Sequence, residues 1–234
     1  MKNLLISLSL IIIIGFYLYG RTIWISVYYK FVGKRTVEEV VNQYKTNVEQ
    51  RLKPYFAKSS LAYPPKNLAL LAFKQEKLLE LWTDENGKKK FIISYKIQAA
   101  SGHSGPKLRE GDRQVPEGMY KISGLNPNSS YHLSMKLNYP NEYDLKYAQQ
   151  EGRNEPGTNI FIHGDSASIG CLAMGDIVIE ELFILVHEVG RKNVTVIISP
   201  YDFRNKAKQN IDGPVWLPEL YSNIRLQLKG YVVK

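Results

Sequence analysis

The chain has 234 residues, 44% hydrophobic, 12% aromatic and 23% charged, which suits one ordinary domain with a short appendage and excludes wholesale disorder, a collagen-like chain and a polytopic membrane protein. Net charge is +9, yet residues 1–60 hold nine Lys or Arg against three Glu, so the globular remainder carries only +3 and no nucleic-acid partner is expected. The single cysteine, Cys171, excludes an intramolecular disulfide and a thiolate zinc site built by one chain.

Leu4 to Tyr19 is an apolar run broken only by Ser7, Ser9 and Gly15, preceded by Lys2 and followed by Arg21. It reads as a signal anchor or signal peptide, and Thr22 to Tyr29 is apolar enough to lengthen the span if Arg21 snorkels. No A-x-A-like cleavage site follows, which favours an uncleaved anchor. Arg21, Lys30, Lys34 and Arg35 outnumber Lys2 and the terminal amine, so charge alone keeps the remainder cytoplasmic, whereas a short basic stretch before an apolar run is also how export begins.

Thr36 and Glu39 form a capping-box pattern, and Val37, Val40, Val41, Tyr44, Val48, Leu52 and Tyr55 recur at helical spacing. The pattern predicts an amphipathic helix over 37–57, a stalk or lid, ending near Pro54. Tyr63-Pro64-Pro65 marks a turn. Leu68–Phe73, Leu78–Trp82 and Lys90–Ile97 read as strands, with Glu85-Asn86-Gly87 as a hairpin signal. From Ser101 to Pro140, Gly, Pro, Ser and Asn predominate around brief apolar stretches at Met119–Ile122 and Tyr131–Leu137, so short strands and long ordered loops are expected. Asn126-Pro127 and Tyr139-Pro140-Asn141 read as turns. Ile177–Val189 is helical in pattern, Val194–Ser199 is a buried-type strand and Pro218–Lys229 a final helix.

The chemistry concentrates in Asn159 to Met174. An apolar β-run delivers His163 to a small-residue loop that returns through Gly170 to the only thiol. A cysteine nucleophile needs a base and amide donors for an oxyanion, and this segment supplies both, with a glycine beside the cysteine for close approach of substrate. His103, His132 and His187 read as structural. Glu110 and Asp112 are not a glycosidase pair, since nothing sets them across a sugar.

His163-Gly164 followed by Ser168-x-Gly170-Cys171 resembles the YkuD-type L,D-transpeptidase catalytic domain family, its YafK-like branch most closely. The resemblance extends through Tyr63-Pro64-Pro65-Lys66, Ser101-Gly102, Gly105-Pro106-Lys107, Glu110 to Gly118, Asn126 to Ser129, Leu137 to Asn141 and Pro200 to Arg204. It departs in Ile169, where the wider family has a second histidine, in Ala173, where many members have arginine, and in a short loop between His163 and Ser168.

The resemblance implies an α+β, β-rich, mixed β-sandwich-like domain over 63–204, flanked by a signal segment over 1–30, the helical stalk or lid over 31–62 and a helical extension over 205–234. It implies action on peptidoglycan stem peptides in the periplasm, with attachment to the inner membrane through residues 4–29. In that reading Cys171 attacks the carbonyl at the L-centre of diaminopimelate, His163 is its base, and Ser168 and Gly170 shape the motif. The amides of Gly170 and Cys171 are oxyanion candidates, and the Gly164 carbonyl is a candidate to orient the imidazole. Lys107, Arg109, Arg113 and Arg153 are candidates for binding substrate carboxylates. No metal or organic cofactor is implied. After acylation the thioester goes either to an amine, making a cross-link, or to water, giving an L,D-amidase that includes release of covalently bound lipoprotein. A non-catalytic peptidoglycan-binding module is the alternative from another class.

Overall fold

The computed structural model describes residues 9–10, 12–17, 20–205 and 211–232. Its elements in chain order are helices α1 (Arg21–Val32) and α2 (Val37–Lys58), then strands β1 (Leu68–Phe73), β2 (Leu78–Glu85), β3 (Lys88–Lys96), β4 (Ala99–Ala100), β5 (Gly118–Ser129) and β6 (His132–Leu137). Helix α3 (Glu142–Gln150), strands β7 (Phe161–His163) and β8 (Leu172–Ala173), helix α4 (Asp176–Val189), strand β9 (Val194–Ser199) and helix α5 (Leu217–Leu228) complete it.

The nine strands form one mixed sheet in the order β3-β2-β1-β9-β5-β6-β7-β8-β4, parallel between β1 and β9 and between β7 and β8. Its two halves, β3-β2-β1-β9 and β6-β7-β8-β4, are joined through β5, and both contribute residues to one core. The first part of β5 (Gly118 to Lys121) pairs with β9 and its second part, from Ile122, pairs with β6 across two register shifts. The sequence showed only Met119–Ile122 as apolar because the second part reads Ser-Gly-Leu-Asn-Pro-Asn-Ser. Asn126-Pro127, expected as a turn, lies inside this strand at the second irregularity.

Both faces of the central strands are covered, which is why β1 and β9 read as continuous apolar runs. Leu68, Leu70 and Ala72 of β1 join Val194, Val196 and Ile198 of β9 in a core shared with α2 and α4, whereas Ala69, Leu71, Phe73 and Ile197 face a second core with α5. Helix α2 is capped by the Thr36/Glu39 box and buries Val40, Val48, Leu52 and Phe56 in the first core. It continues to Lys58, past Pro54, because a proline in the last turn forgoes a single backbone bond while Phe56 is held by burial. Arg51 ties α2 to α4 through Glu181 at 2.6 Å, and Glu181 also accepts from the Tyr95 hydroxyl at 2.9 Å.

Helix α3 was not read from sequence. Asn141 caps it reciprocally with Asp144, and Asn-x-x-Asp after Pro140 was the available signal. The 85–87 hairpin signal holds, with Asn86 and Gly87 both at positive φ. No helix among the described residues is long and apolar enough to cross a membrane. Residues 1–8, 11, 18 and 19 of the predicted anchor lie outside the described residues.

Candidate active site

Strand β7 carries His163 out of the sheet, residues 164–171 form a turn, and β8 returns beside it. The parallel register pairs Ile162 with Leu172 and His163 with Ala173. Ile162 and Leu172 point into the first core. By the two-residue period of strands His163 therefore projects from the opposite face, and Cys171 lies one residue before β8 on the neighbouring segment. The turn is anchored at its base: Met174 N–H donates to the His163 carbonyl at 2.8 Å, Gly164 N–H to that of Leu133 at 3.0 Å, and Gly175 N–H to that of Asp165 at 2.9 Å.

His163 is only 2% exposed. Its Nδ1 lies 2.6 Å from the Gly164 carbonyl, which can only accept, so Nδ1 carries the proton and Nε2 keeps its lone pair. Burial pushes the imidazole below its usual pKa, partly opposed by the Gly164 bond and the Asp165 charge. Burial pushes the Cys171 thiol up, partly offset by the Phe161 backbone and the Lys107 charge. The resting pair at neutral pH is thus a thiol and a neutral imidazole. The thiol itself donates to the Asn159 carbonyl, with Sγ 3.9 Å from the oxygen.

Position 164 has room only for glycine. A Cβ there would stand 2.6 Å from both Asp176 Oδ1 and the Tyr131 carbonyl oxygen. Ser168 and Gly170 are tied to a residue that sequence reasoning did not single out as functional, Ser101, at the end of β4. Gly170 N–H donates to Ser101 Oγ at 2.5 Å, Ser101 N–H to Ser168 Oγ at 3.2 Å, and the Ser168 hydroxyl to the Cys171 carbonyl at 2.6 Å. The Gly170 amide, expected as an oxyanion donor, is already engaged by that hydroxyl. Cys171 N–H reaches Ser168 Oγ at 3.3 Å. The Ser101 contacts span segments far apart in sequence, so only the quoted Ser101-Gly102 block pointed there.

Loop 101–117 packs beside this turn and is itself held by buried polar groups. Gln114 Nε2 donates to the carbonyls of His103 and Gly105, each at 2.7 Å, and its Oε1 accepts from His103 N–H at 2.9 Å. Lys74 Nζ donates to Glu117 at 2.9 Å and to the carbonyls of Gly105 and Val115, with both side chains buried.

The four candidate cations separate here. Lys107 is buried, 2.6 Å from Asp112 and bonded to the Arg109 carbonyl at 2.9 Å, and Arg153 pairs with Glu151 at 2.7 Å and donates to the Leu108 carbonyl. Both are held within the chain by these partners. Arg109 and Arg113 are exposed, with no ion pair among the described residues, and the backbone of Arg113 adjoins Gly170. His132 Nε2 lies 2.9 Å from Glu180.

The family model for the YkuD L,D-transpeptidase catalytic domain matches residues 69–198, which takes in the sheet from β1 to β9, His163 and Cys171. The chain belongs to this family. It is 37% identical over 134 residues to the protein named "Putative L,D-transpeptidase YafK" of Escherichia coli K12, covering 55% of this chain and 52% of that protein. The namesake from Escherichia coli O157:H7 matches over the same shares. The chain thus spans about half the length of the curated L,D-transpeptidase relatives it matches. Among solved structures, the helical cell shape determining protein Pgp2 from Campylobacter jejuni is 25% identical over 63% of this chain and 50% of its own, with a TM-score of 0.47. Mycobacterium tuberculosis L,D-transpeptidase 1 is 10% identical over 57% of this chain and 62% of its own, with a TM-score of 0.33.

Proposed function

We propose that the chain is a cysteine acyltransferase acting on peptidoglycan stem peptides. The observation that supports this reading is the parallel pairing of β7 with β8, which brings His163 and the segment that carries Cys171 onto neighbouring chain segments, with the imidazole tautomer fixed so that Nε2 keeps its lone pair. Family membership supplies the substrate class.

Nε2 of His163 takes the thiol proton as Sγ bonds to the carbonyl at the L-centre of diaminopimelate. The tetrahedral oxyanion collapses, the C–N bond to D-alanine breaks, and the amine leaves with the proton held by His163. An amine then attacks the thioester, gives its proton back to His163 and regenerates the thiol. The exposed Arg113, whose backbone adjoins Gly170, and the exposed Arg109 receive the carboxylates of the stem. Peptidoglycan lies outside the inner membrane, so the same reading sets the protein in the periplasm, attached through residues 4–29.

The test incubates the full chain with tetrapeptide-rich peptidoglycan bearing covalently bound lipoprotein and identifies all products by mass spectrometry beside Cys171→Ala. Loss of D-alanine with new diaminopimelate-linked dimers is the expected result. Released lipoprotein without new links assigns the thioester to water in place of an amine. Products unchanged by Cys171→Ala overturn acyl transfer altogether.

A further inference from the structure

The end of α2 remote from the N-terminal segment adjoins two cavities. At its near end α2 follows residues 33–36, where Arg35 N–H donates to the Asn128 side chain and the Asn128 amide to the Arg35 carbonyl, each at 2.8 Å. The 22 residues of α2 span ~33 Å at ~1.5 Å each, and just past the far end the Ser59 hydroxyl donates to the Phe91 carbonyl of β3 at 3.1 Å. One cavity there, of about 910 Å³, is lined by Lys58, Lys88 and Val232. The other, of about 710 Å³, is lined by Phe203, Arg225, Lys229 and again Val232, so the two adjoin along the C-terminal segment. Neither is lined by a residue of loop 101–117 or of the 164–171 turn.

The charge on this surface has one sign. Among the described residues neither cavity is lined by an Asp or a Glu. Three of the seven lining cations are spoken for: Lys89 by Asp84, Lys90 by Glu85, and Arg204 by Glu80 and Asp202. Lys58, Lys88, Arg225 and Lys229 make no ion pair among the described residues. The Arg225 guanidinium lies over the Phe203 ring, 4.4 Å from its centroid, which occupies one guanidinium face and leaves the in-plane N–H groups for an oxyanion. Helices α2 and α5 both end here, and their negative ends together offset about one of the four charges.

We propose that this pole is a second peptidoglycan-binding surface, apart from the thiol, on which Lys58, Lys88, Arg225 and Lys229 hold stem carboxylates of a strand that the active site is not processing. The inference rests on the acyl-transfer reading above for the identity of the polymer. Carboxylates repeated along an extended polymer suit four cations spread over two adjoining cavities, whereas a lone small anion uses one pair. With residues 4–29 in the inner membrane, that bilayer lies at the opposite end of α2 and the pole faces the wall.

The test measures cosedimentation with purified peptidoglycan sacculi, using the full chain in non-ionic detergent and bearing Cys171→Ala so that nothing is processed. Three double variants change charge equally: Arg225→Gln with Lys229→Gln, Lys58→Gln with Lys88→Gln, and as control Lys77→Gln with Lys192→Gln, exposed cations outside both cavities. The expected result is a Kd raised at least ~5-fold in each of the first two and within about twofold in the control, with the difference shrinking in high salt; exposed charge pairs set that scale. Sacculi whose carboxyls have been converted to amides are expected to bind all variants alike. Thermal unfolding checks each fold, and the exposed Lys58 and Lys88 keep the test open if losing the Arg225 stacking lowers stability.

Binding unchanged in both doubles overturns the proposal, as does a loss no larger than the control's or binding indifferent to amidation. Phosphatidylcholine proteoliposomes of the parent that tether phosphatidylglycerol vesicles through these cations, with sacculus binding unchanged by the substitutions, make the occupant a membrane and overturn it too. Turnover of a soluble tetrapeptide muropeptide, measured with Cys171 in place, separates the two readings. Sacculus binding that needs the cations without any such turnover leaves this surface standing and removes the acyl-transfer reading. Turnover in a parent whose binding ignores the cations removes this proposal alone.

Discussion

The ring of Tyr131 lies 4.6 Å from that of His163, tilted by 32°, and closes one side of the imidazole from water. An unperturbed histidine titrates near ~6.5, and burial lowers His163 from there. As pH falls, the base is lost only on passing its own depressed value, so the acid limb of kcat/KM for stem-peptide turnover falls below ~6.5. Tyr131→Ala admits water and moves that limb upward. The same sign holds for stability: the unfolded chain takes up the proton first as pH drops through ~6.5, so His163 contributes destabilisation below that point. An acid limb in the parent at or above ~6.5 contradicts this account.

The thiol gives the opposite prediction on the alkaline side. Burial raises Cys171, so its alkylation rate continues to rise with pH beyond the ~8.5 of a free cysteine. Lys107 pulls the thiol down by its charge. In Lys107→Gln the midpoint therefore shifts further up, as read by iodoacetamide kinetics across pH with the fold checked by circular dichroism.

Gly164→Ala tests the tightness of the turn. Its methyl meets a carboxylate oxygen and a backbone carbonyl at 2.6 Å, and the backbone cannot step aside cheaply. Urea unfolding is expected to show a loss of about 1–3 kcal/mol, with stem-peptide turnover falling as the carbonyl that orients His163 is displaced.

Lys74 and Glu117 form the buried ion pair under loop 101–117. Removing one partner strands the other, so Lys74→Met is expected to cost about 3–5 kcal/mol in urea unfolding. Replacing both with apolar residues restores part of that loss. A single substitution costing under ~1 kcal/mol would show that water reaches the pair.

How much of this was legible in the sequence follows from what each residue's partners are. β1 and β9 were readable because apolar cover on both faces leaves uninterrupted runs, and α2 because its cap lies within four residues. The second part of β5 was hidden because its ladder is irregular and its residues are those of turns. His163 and Cys171 stood out through a local motif. Ser101 did not, since its hydroxyl acquires meaning only when β4 meets the 168–171 turn. The pairing of Lys107 with Asp112 and of Arg153 with Glu151 had a local signal, opposite charges five and two residues away.

The parallel pairing of Leu68 with Val194, continued to Phe73 with Ser199, sets an order on synthesis. Strand β1 leaves the ribosome early with both faces apolar and finds β2 by a hairpin, but its other edge has no partner until β9 has been made. Everything between, including the turn that carries the nucleophile, emerges while that edge is open. Closing so long a loop is slow. Until it closes, the nascent chain presents an unpaired, uncharged strand edge of the kind that holdase chaperones recognise and that aggregation otherwise uses.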